Sequence, residues 1–395
     1  MGRILALRFA TGVLLASAVL LAAALGAPAP AGGPPAGIVW MDRLGAGALR
    51  PEPVDVVWLG LPPSPRDAAW IRRSVETTFG FRVRFAGLRP LPPGAFLPGT
   101  GRWDAGAILD DLADRMRLDA VRVLGVTFAD LAGDRGGWAM GMGQREGKAA
   151  VVSLYRSALA FAEGRRLGTD WDAYREAYRM RVYKLVCHEL GHTFLDRGFV
   201  HCPDPCCLMS PVESGFRDLD RVRPRFCSRC RTAIGEAVQG PVNTPVTYYH
   251  LGWYFEQRGL LRRAREAYGR AVSLEPDFAQ AWNNLGATER RLGNAGEAAR
   301  AYRRAVEASP GYALAHLNLG RLLRRLGRGR EALSHLGTCL DLDPSMTAAH
   351  RDGGYVLRDL LSEPEKARVW FRRYLEAGGE DEAVRRWLEG EGGED

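Results

Sequence analysis

The chain has 395 residues, 46% hydrophobic and 25% charged, the proportions of a globular protein with length for two or three domains. Its net charge is +8, carried almost wholly by arginine, because Lys148, Lys184 and Lys366 are the only lysines. The arginines are spread along helical stretches, mostly in pairs and without a basic run, so no nucleic-acid partner is expected.

Residues 1–27 place Arg3 and Arg8 ahead of an uncharged apolar run from Phe9 to Ala27. That is the layout of a secretory signal peptide, and the run is also long enough for an uncleaved membrane anchor. Either way the remainder of the chain is expected outside the cytoplasm, periplasmic or extracellular. Residues 28–51 form a linker that opens with a Pro/Gly/Ala stretch offering little to pack.

Folded structure is expected from residue 52. Val54–Leu59 reads as a buried strand. Ser64-Pro65-Arg66-Asp67 is a helix start, and that helix stops at Gly80. Phe81, Val83 and Phe85 alternate with arginines as a half-exposed strand. Asp104 caps a second helix through Ile108, Leu109, Leu112 and Met116. Val121–Val126 is a further buried strand, Gly136–Gly143 a glycine-rich edge strand, and Ala149–Leu154 another strand. A long helix then opens near Thr169 and carries Trp171, Tyr174, Tyr178, Val182, Leu185, Glu189 and His192 on one face.

That helix ends in His188-Glu189-Leu190-Gly191-His192, an HExxH pattern. Residues four apart share a helix face, so His188 and His192 can grip one metal ion. Glu189 stands beside them as the candidate general base for a water activated by that metal. His201 follows Gly198 as a third nitrogen donor, and Asp196 is the competing third ligand. At i+8 from His188, Asp196 would sit about 12 Å along a continued helix, too far to share the ion, which favours His201.

Six of the seven cysteines lie between Cys187 and Cys230, and Cys339 stands apart. Cys202 and Cys207 with Cys227 and Cys230 form a C-x4-C plus C-x-x-C arrangement, suited to a tetrahedral zinc with four thiolates. Two disulfides are the rival reading for an exported chain. Cys187 and Cys206 are left over, and Cys206 could compete with Cys207.

The run HC-x4-C-x-M-x17-C-x-x-C after HExxH resembles the archaemetzincin family of zinc metallopeptidases. The resemblance implies an α+β metzincin-like domain, a mixed twisted sheet with an active-site helix, and two zinc ions. His188, His192 and His201 would hold the catalytic zinc, and Cys202, Cys207, Cys227 and Cys230 the structural one. Met209 would be the Met-turn residue beneath the catalytic metal, and Gly136–Gly143 the edge strand that receives an extended peptide. Arg102–Ala105, Gly125–Thr127 and Val151–Arg156 extend the resemblance, which covers about residues 52–232. There are two departures. Five residues stand between His192 and Gly198 where the family has two. The family is also usually intracellular, against the apolar N-terminus here.

Residues 233–244 read as a linker. Leu251-Gly252, Leu285-Gly286 and Leu319-Gly320 then recur 34 residues apart, as do Ala264, Ala298 and Ala332, and Pro276, Pro310 and Pro344. This resembles the tetratricopeptide repeat (TPR), implying an all-α solenoid of four repeats over 245–378, with a capping helix and tail over 379–395. The fourth unit has one extra residue before Ala367. Asn284 and Asn318 are read as framework, and His316, His350 and Cys339 as packing.

The expected function is therefore an exported zinc metallopeptidase acting on a peptide or protein substrate, with Glu189 as base. The TPR concave face would bind a protein partner or the substrate. The alternative is a catalytically inactive peptidase-fold adaptor for protein–protein interaction, which the lengthened spacer before Gly198 favours. A redox role for Cys227 and Cys230 is weaker, because redox pairs open a helix whereas this pair reads as closing a loop.

Overall fold

The computed structural model describes residues 43–45, 48–133, 137–144, 148–158, 171–195, 201–211 and 216–390. The expected signal or anchor, most of the first linker, Asp196 and Gly198 lie outside them. The chain divides after Val242 into two units.

In the first unit, β1 (Arg50–Leu59), β2 (Phe81–Arg89), β5 (Arg122–Thr127), β8 (Gly141–Gly143) and β9 (Ala149–Ser153) form one sheet in the order β2-β1-β5-β9-β8. The first four are mutually parallel and β8 runs antiparallel to β9. Helix α1 (Pro65–Phe79) joins β1 to β2. It starts as the sequence implies: the Ser64 side chain accepts from the Asp67 N–H at 3.0 Å, Pro65 occupies the first turn, and Gly80 ends it at φ 72°. Helix α2 (Ala105–Asp114) is capped by Asp104. It covers the opposite sheet face closely enough that a Cβ on Gly125 would meet Leu112 at 2.5 Å. A second, small sheet joins β3 (Phe96–Leu97), β4 (Arg102–Asp104), β6 (Leu131–Ala132) and β7 (Trp138–Ala139).

The glycine-rich stretch expected as one edge strand is thus two. Trp138–Ala139 pairs with β6, the chain turns at Met140, and Gly141–Gly143 forms the edge of the main sheet. Gly136 lies outside the described residues.

Helix α3 (Trp171–His192) carries the HExxH pattern. One apolar face was expected, but every residue from Val182 to Leu195 is buried. Val54, Val56, Trp58, Ile71, Val75 and Phe79 pack on it from the sheet and α1. Met209, Leu219, Phe226 and Ile234 close it from the cysteine-rich side. Even Lys184 is accommodated there, its ammonium donating to the Leu219 carbonyl at 2.8 Å.

Helices α4 (Phe216–Arg221) and α5 (Ser228–Gln239) follow. Ile234 and Val238 are buried in the same core, so residues 233–239, expected as linker, belong to this unit. The Arg50 guanidinium ties the far end of α5 to β1, donating to the carbonyls of Val238 and Gly240 at 2.7 and 2.8 Å.

The second unit is all helical: α6 (Pro245–Gln257), α7 (Leu261–Leu274), α8 (Ala279–Arg291), α9 (Ala295–Ala308), α10 (Ala313–Arg325), α11 (Gly329–Leu342), α12 (Thr347–Tyr355), α13 (Pro364–Glu376) and α14 (Glu382–Glu389). The 34-residue period has a steric cause. A Cβ on Gly252, Gly286, Gly320 or Gly354 would meet Tyr268, Tyr302, Leu336 or Phe371 at 2.4–2.7 Å. The glycine of each first helix therefore seats a large side chain of the second. The extra residue of the fourth unit is absorbed by a π turn, Val356–Leu360, that continues α12.

Candidate metal centres

Helix α3 stops at His192. The N–H groups of Thr193, Phe194 and Leu195 turn back to the carbonyls of Leu190, Gly191 and His192 at 3.0, 3.1 and 3.4 Å. The lengthened spacer therefore begins as a tight turn and not as more helix. Phe194 is buried in that turn, its ring 5.5 Å from Phe79 and 6.0 Å from Phe81. The Arg122 guanidinium lies 4.1 Å from the Phe194 ring centre and donates to the Thr193 hydroxyl and carbonyl, each at 2.9 Å.

His188, His192 and His201 come together. Their nearest donor atoms lie within 4.8 Å of one another, and the Nε2 atoms of His188 and His192 are 3.1 Å apart. Nitrogens about 2.0–2.1 Å from a tetrahedral zinc are separated by roughly 3.3 Å, so the pair fits that ion. His188 Nδ1 lies 2.8 Å from the Leu208 carbonyl, which as acceptor holds the proton there and leaves Nε2 free to ligate. Burial pushes the His188 pKa down to about 4, keeping the ring in the neutral form a metal requires.

Glu189 is buried beside them, and burial pushes its pKa up to about 8. A cation held by the adjacent imidazoles opposes that shift. Two glycines that the residue pattern alone did not assign make this possible. A Cβ on Gly141 would lie 2.7 Å from Glu189 Cγ, and one on Gly143 would lie 2.3 Å from the Glu189 carbonyl oxygen. The free-edge strand β8 thus runs directly along the general-base candidate.

The floor of the site is Met209, fully buried in a turn closed by Ser210 N–H donating to the Cys207 carbonyl at 2.9 Å. A Cβ on Gly191 would meet Met209 Sδ at 2.6 Å, which explains the glycine within HELGH.

Cys202, Cys207, Cys227 and Cys230 form the second group, their sulfurs within 4.8 Å of one another. All seven cysteines are free, and the Cys202 and Cys227 sulfurs are 3.6 Å apart. Thiolates about 2.3 Å from a tetrahedral zinc stand roughly 3.8 Å apart, whereas a disulfide needs about 2.05 Å. The Cys230 thiol, by hydrogen bonding, lowers the Cys207 pKa to about 5, so one thiolate forms readily. Cys206 stands outside the group, its N–H bonded to Asp204, and Cys187 packs against Thr78.

Cys227 and Cys230, expected to close a loop, instead open helix α5, with Cys227 as its N-cap accepting from the Cys230 N–H. The pair therefore does sit at a helix start. What sets it apart from a redox pair is the presence of Cys202 and Cys207 around it. Among residues the sequence reading did not assign, Arg122 had one visible signal: a charge at the head of the apolar strand RVLGV.

A mixed sheet whose closing helix presents two imidazoles and a carboxylate, with a third imidazole folded back onto them, marks a zinc metallopeptidase. The chain belongs to the archaemetzincin family. Residues 103–236 match peptidase family M54, and 249–313 and 289–351 match tetratricopeptide repeats. The archaemetzincin of Methanopyrus kandleri is 39% identical over 140 residues, 35% of this chain and 70% of that protein. The archaemetzincin of Thermococcus kodakarensis is 31% identical over 169 residues, 42% of this chain and 83% of that protein. The crystal structure of the Methanopyrus kandleri archaemetzincin aligns with a TM-score of 0.39 at 30% identity, covering 48% of this chain and 98% of that one.

Proposed function

We propose that this zinc peptidase hydrolyses peptide bonds with Glu189 as general base, holds two zinc ions, acts outside the cytoplasm, and recruits protein through its repeats. When bound, zinc supplies Lewis acidity, acidifying a water and polarising the scissile carbonyl. His188, His192 and His201 would hold it, and the four cysteines would hold the second ion. The Glu189 carboxylate takes the proton from the attacking water and returns it to the leaving amine. An extended peptide pairing with the free edge of β8 would lie beside Glu189, which packs directly on Gly141 and Gly143. The observation that carries this reading is the convergence of His201 on the two helix histidines despite the longer spacer, the one feature that favoured an inactive adaptor.

Export rests on the sequence of residues 1–27. Among the described residues no helix is long and apolar enough to cross a membrane. A reporter fused after residue 40 should be active only outside the cytoplasm.

The deciding experiment compares the zinc-loaded chain with Glu189→Ala on an internally quenched peptide library. The variant should keep both zinc ions and lose cleavage by about a hundredfold or more. Equal cleavage by both, or none by either with zinc bound, would reject the catalytic assignment.

A further inference from the structure

The first helices of three successive repeats, α8, α10 and α12, line a cleft of about 280 Å³. Five of its lining residues are arginines, Arg290, Arg321, Arg324, Arg325 and Arg351, and its one carboxylate is Asp352. Asp352 is buried and already engaged, accepting from Arg321 at 2.5 Å and lying 3.4 Å from Arg324. Arg325 and Arg351 have no carboxylate partner among the described residues, and the Arg324 Nε is buried without an acceptor.

Some arginines elsewhere in the solenoid have acidic neighbours on their own helix. On the second helices and their starts, Arg300, Arg304 and Arg328 pair with Glu297, Glu307 and Glu331 three residues away. In the cleft a single carboxylate, already engaged by two guanidiniums, stands among five arginines. At the 34-residue spacing, Asp352 occupies the position of Asn284 and Asn318. Asn318 spends its amide on Asn283 of the preceding repeat at 2.9 Å, as a framework contact, whereas Asp352 holds two guanidiniums over the cleft.

We infer that this cleft is a binding site for an acidic peptide segment, its carboxylates gripped by Arg325, Arg351 and the outward donors of Arg321 and Arg324. Planar guanidiniums suit carboxylates because two parallel N–H groups meet two oxygens. The confined volume favours a short acidic segment over a nucleic-acid backbone, which needs a continuous basic track. The inference rests on the solenoid being the recruiting module and is independent of catalysis.

The test uses the zinc-loaded full chain carrying Glu189→Ala, so that probes stay intact, and fluorescence anisotropy with labelled hexaglutamate and hexaglutamine. Hexaglutamate should bind about tenfold or more tighter, and more weakly as salt rises. R325E/R351E should cost about tenfold or more, and R325Q/R351Q less, with thermal melting confirming that both fold. The charge-matched control R262E/R265E on α7 should change affinity by less than about twofold. Equal loss in the control, or displacement of hexaglutamate by an oligonucleotide of matched charge, would overturn the inference. If both peptides bind alike, acidic selection falls and the recruiting module stands. If neither binds, both fall.

Discussion

Arg122 grips Thr193 twice, through the hydroxyl and the carbonyl oxygen at 2.9 Å each, and so seals the first turn beyond the second histidine of the site. The guanidinium comes from the central strand β5, while Thr193 begins the segment whose length departs from the family. The contact locks the helix end against the sheet.

Arg122→Met should therefore destabilise the protein by about 1–3 kcal/mol, because the Thr193 carbonyl loses its donor in a buried place. Zinc retention at the histidine site should fall by roughly tenfold, as when an outer support of a ligand is lost. Thermal melting and chelator competition measure the two effects. Zinc held as tightly as in the parent would mean that the clamp is structural only.

Gly143→Ala should be costly for its size. The new methyl would press on the Glu189 carbonyl at 2.3 Å and on the His192 side chain at 3.0 Å, so helix and strand must part. The expected loss is about 1–3 kcal/mol, together with cleavage. Gly137→Ala, with nothing within 4 Å of the added atom, is the control and should alter neither.

Cys227→Ser separates capping from metal binding. Serine is itself a good N-cap, so helix α5 keeps its first hydrogen bond while the sulfur ligand is lost. Unfolding or aggregation of this variant, on the order of several kcal/mol, would then report the lost metal. A soluble variant with unchanged melting and two bound zinc ions would contradict a four-thiolate centre.

His201→Ala should strip zinc from the catalytic site and abolish cleavage, whereas Asp196→Ala should do neither. Metal analysis of the two variants decides between them. Loss of metal in the Asp196 variant alone would mean that the ligand set is wrong.

Much of this was legible because local chemistry and global packing agree. Ser64, Asp104 and Gly80 mark helix ends in the sequence and do so in the structure. The repeat period was readable because each Gly–ring approach recurs every 34 residues. What was hidden depends on contacts distant in sequence. The burial of α3 on every side requires α5, which the Gly/Pro punctuation after residue 239 made look like linker. Nothing local says that residues 137–143 divide between two sheets, since the division is set by separate partners, β6 and β9. The extra residue of the fourth repeat was visible, but a π turn leaves no pattern that distinguishes it from a longer loop.

A single peptide bond joins His201, third donor of one centre, to Cys202, first thiol of the other, and Met209 lies two residues beyond Cys207. Under the two-zinc reading, neither ion can then leave without loosening the other's cage. Affinity becomes a shared property, and the coupling is reciprocal: whichever ion loads first prepays ordering for the second.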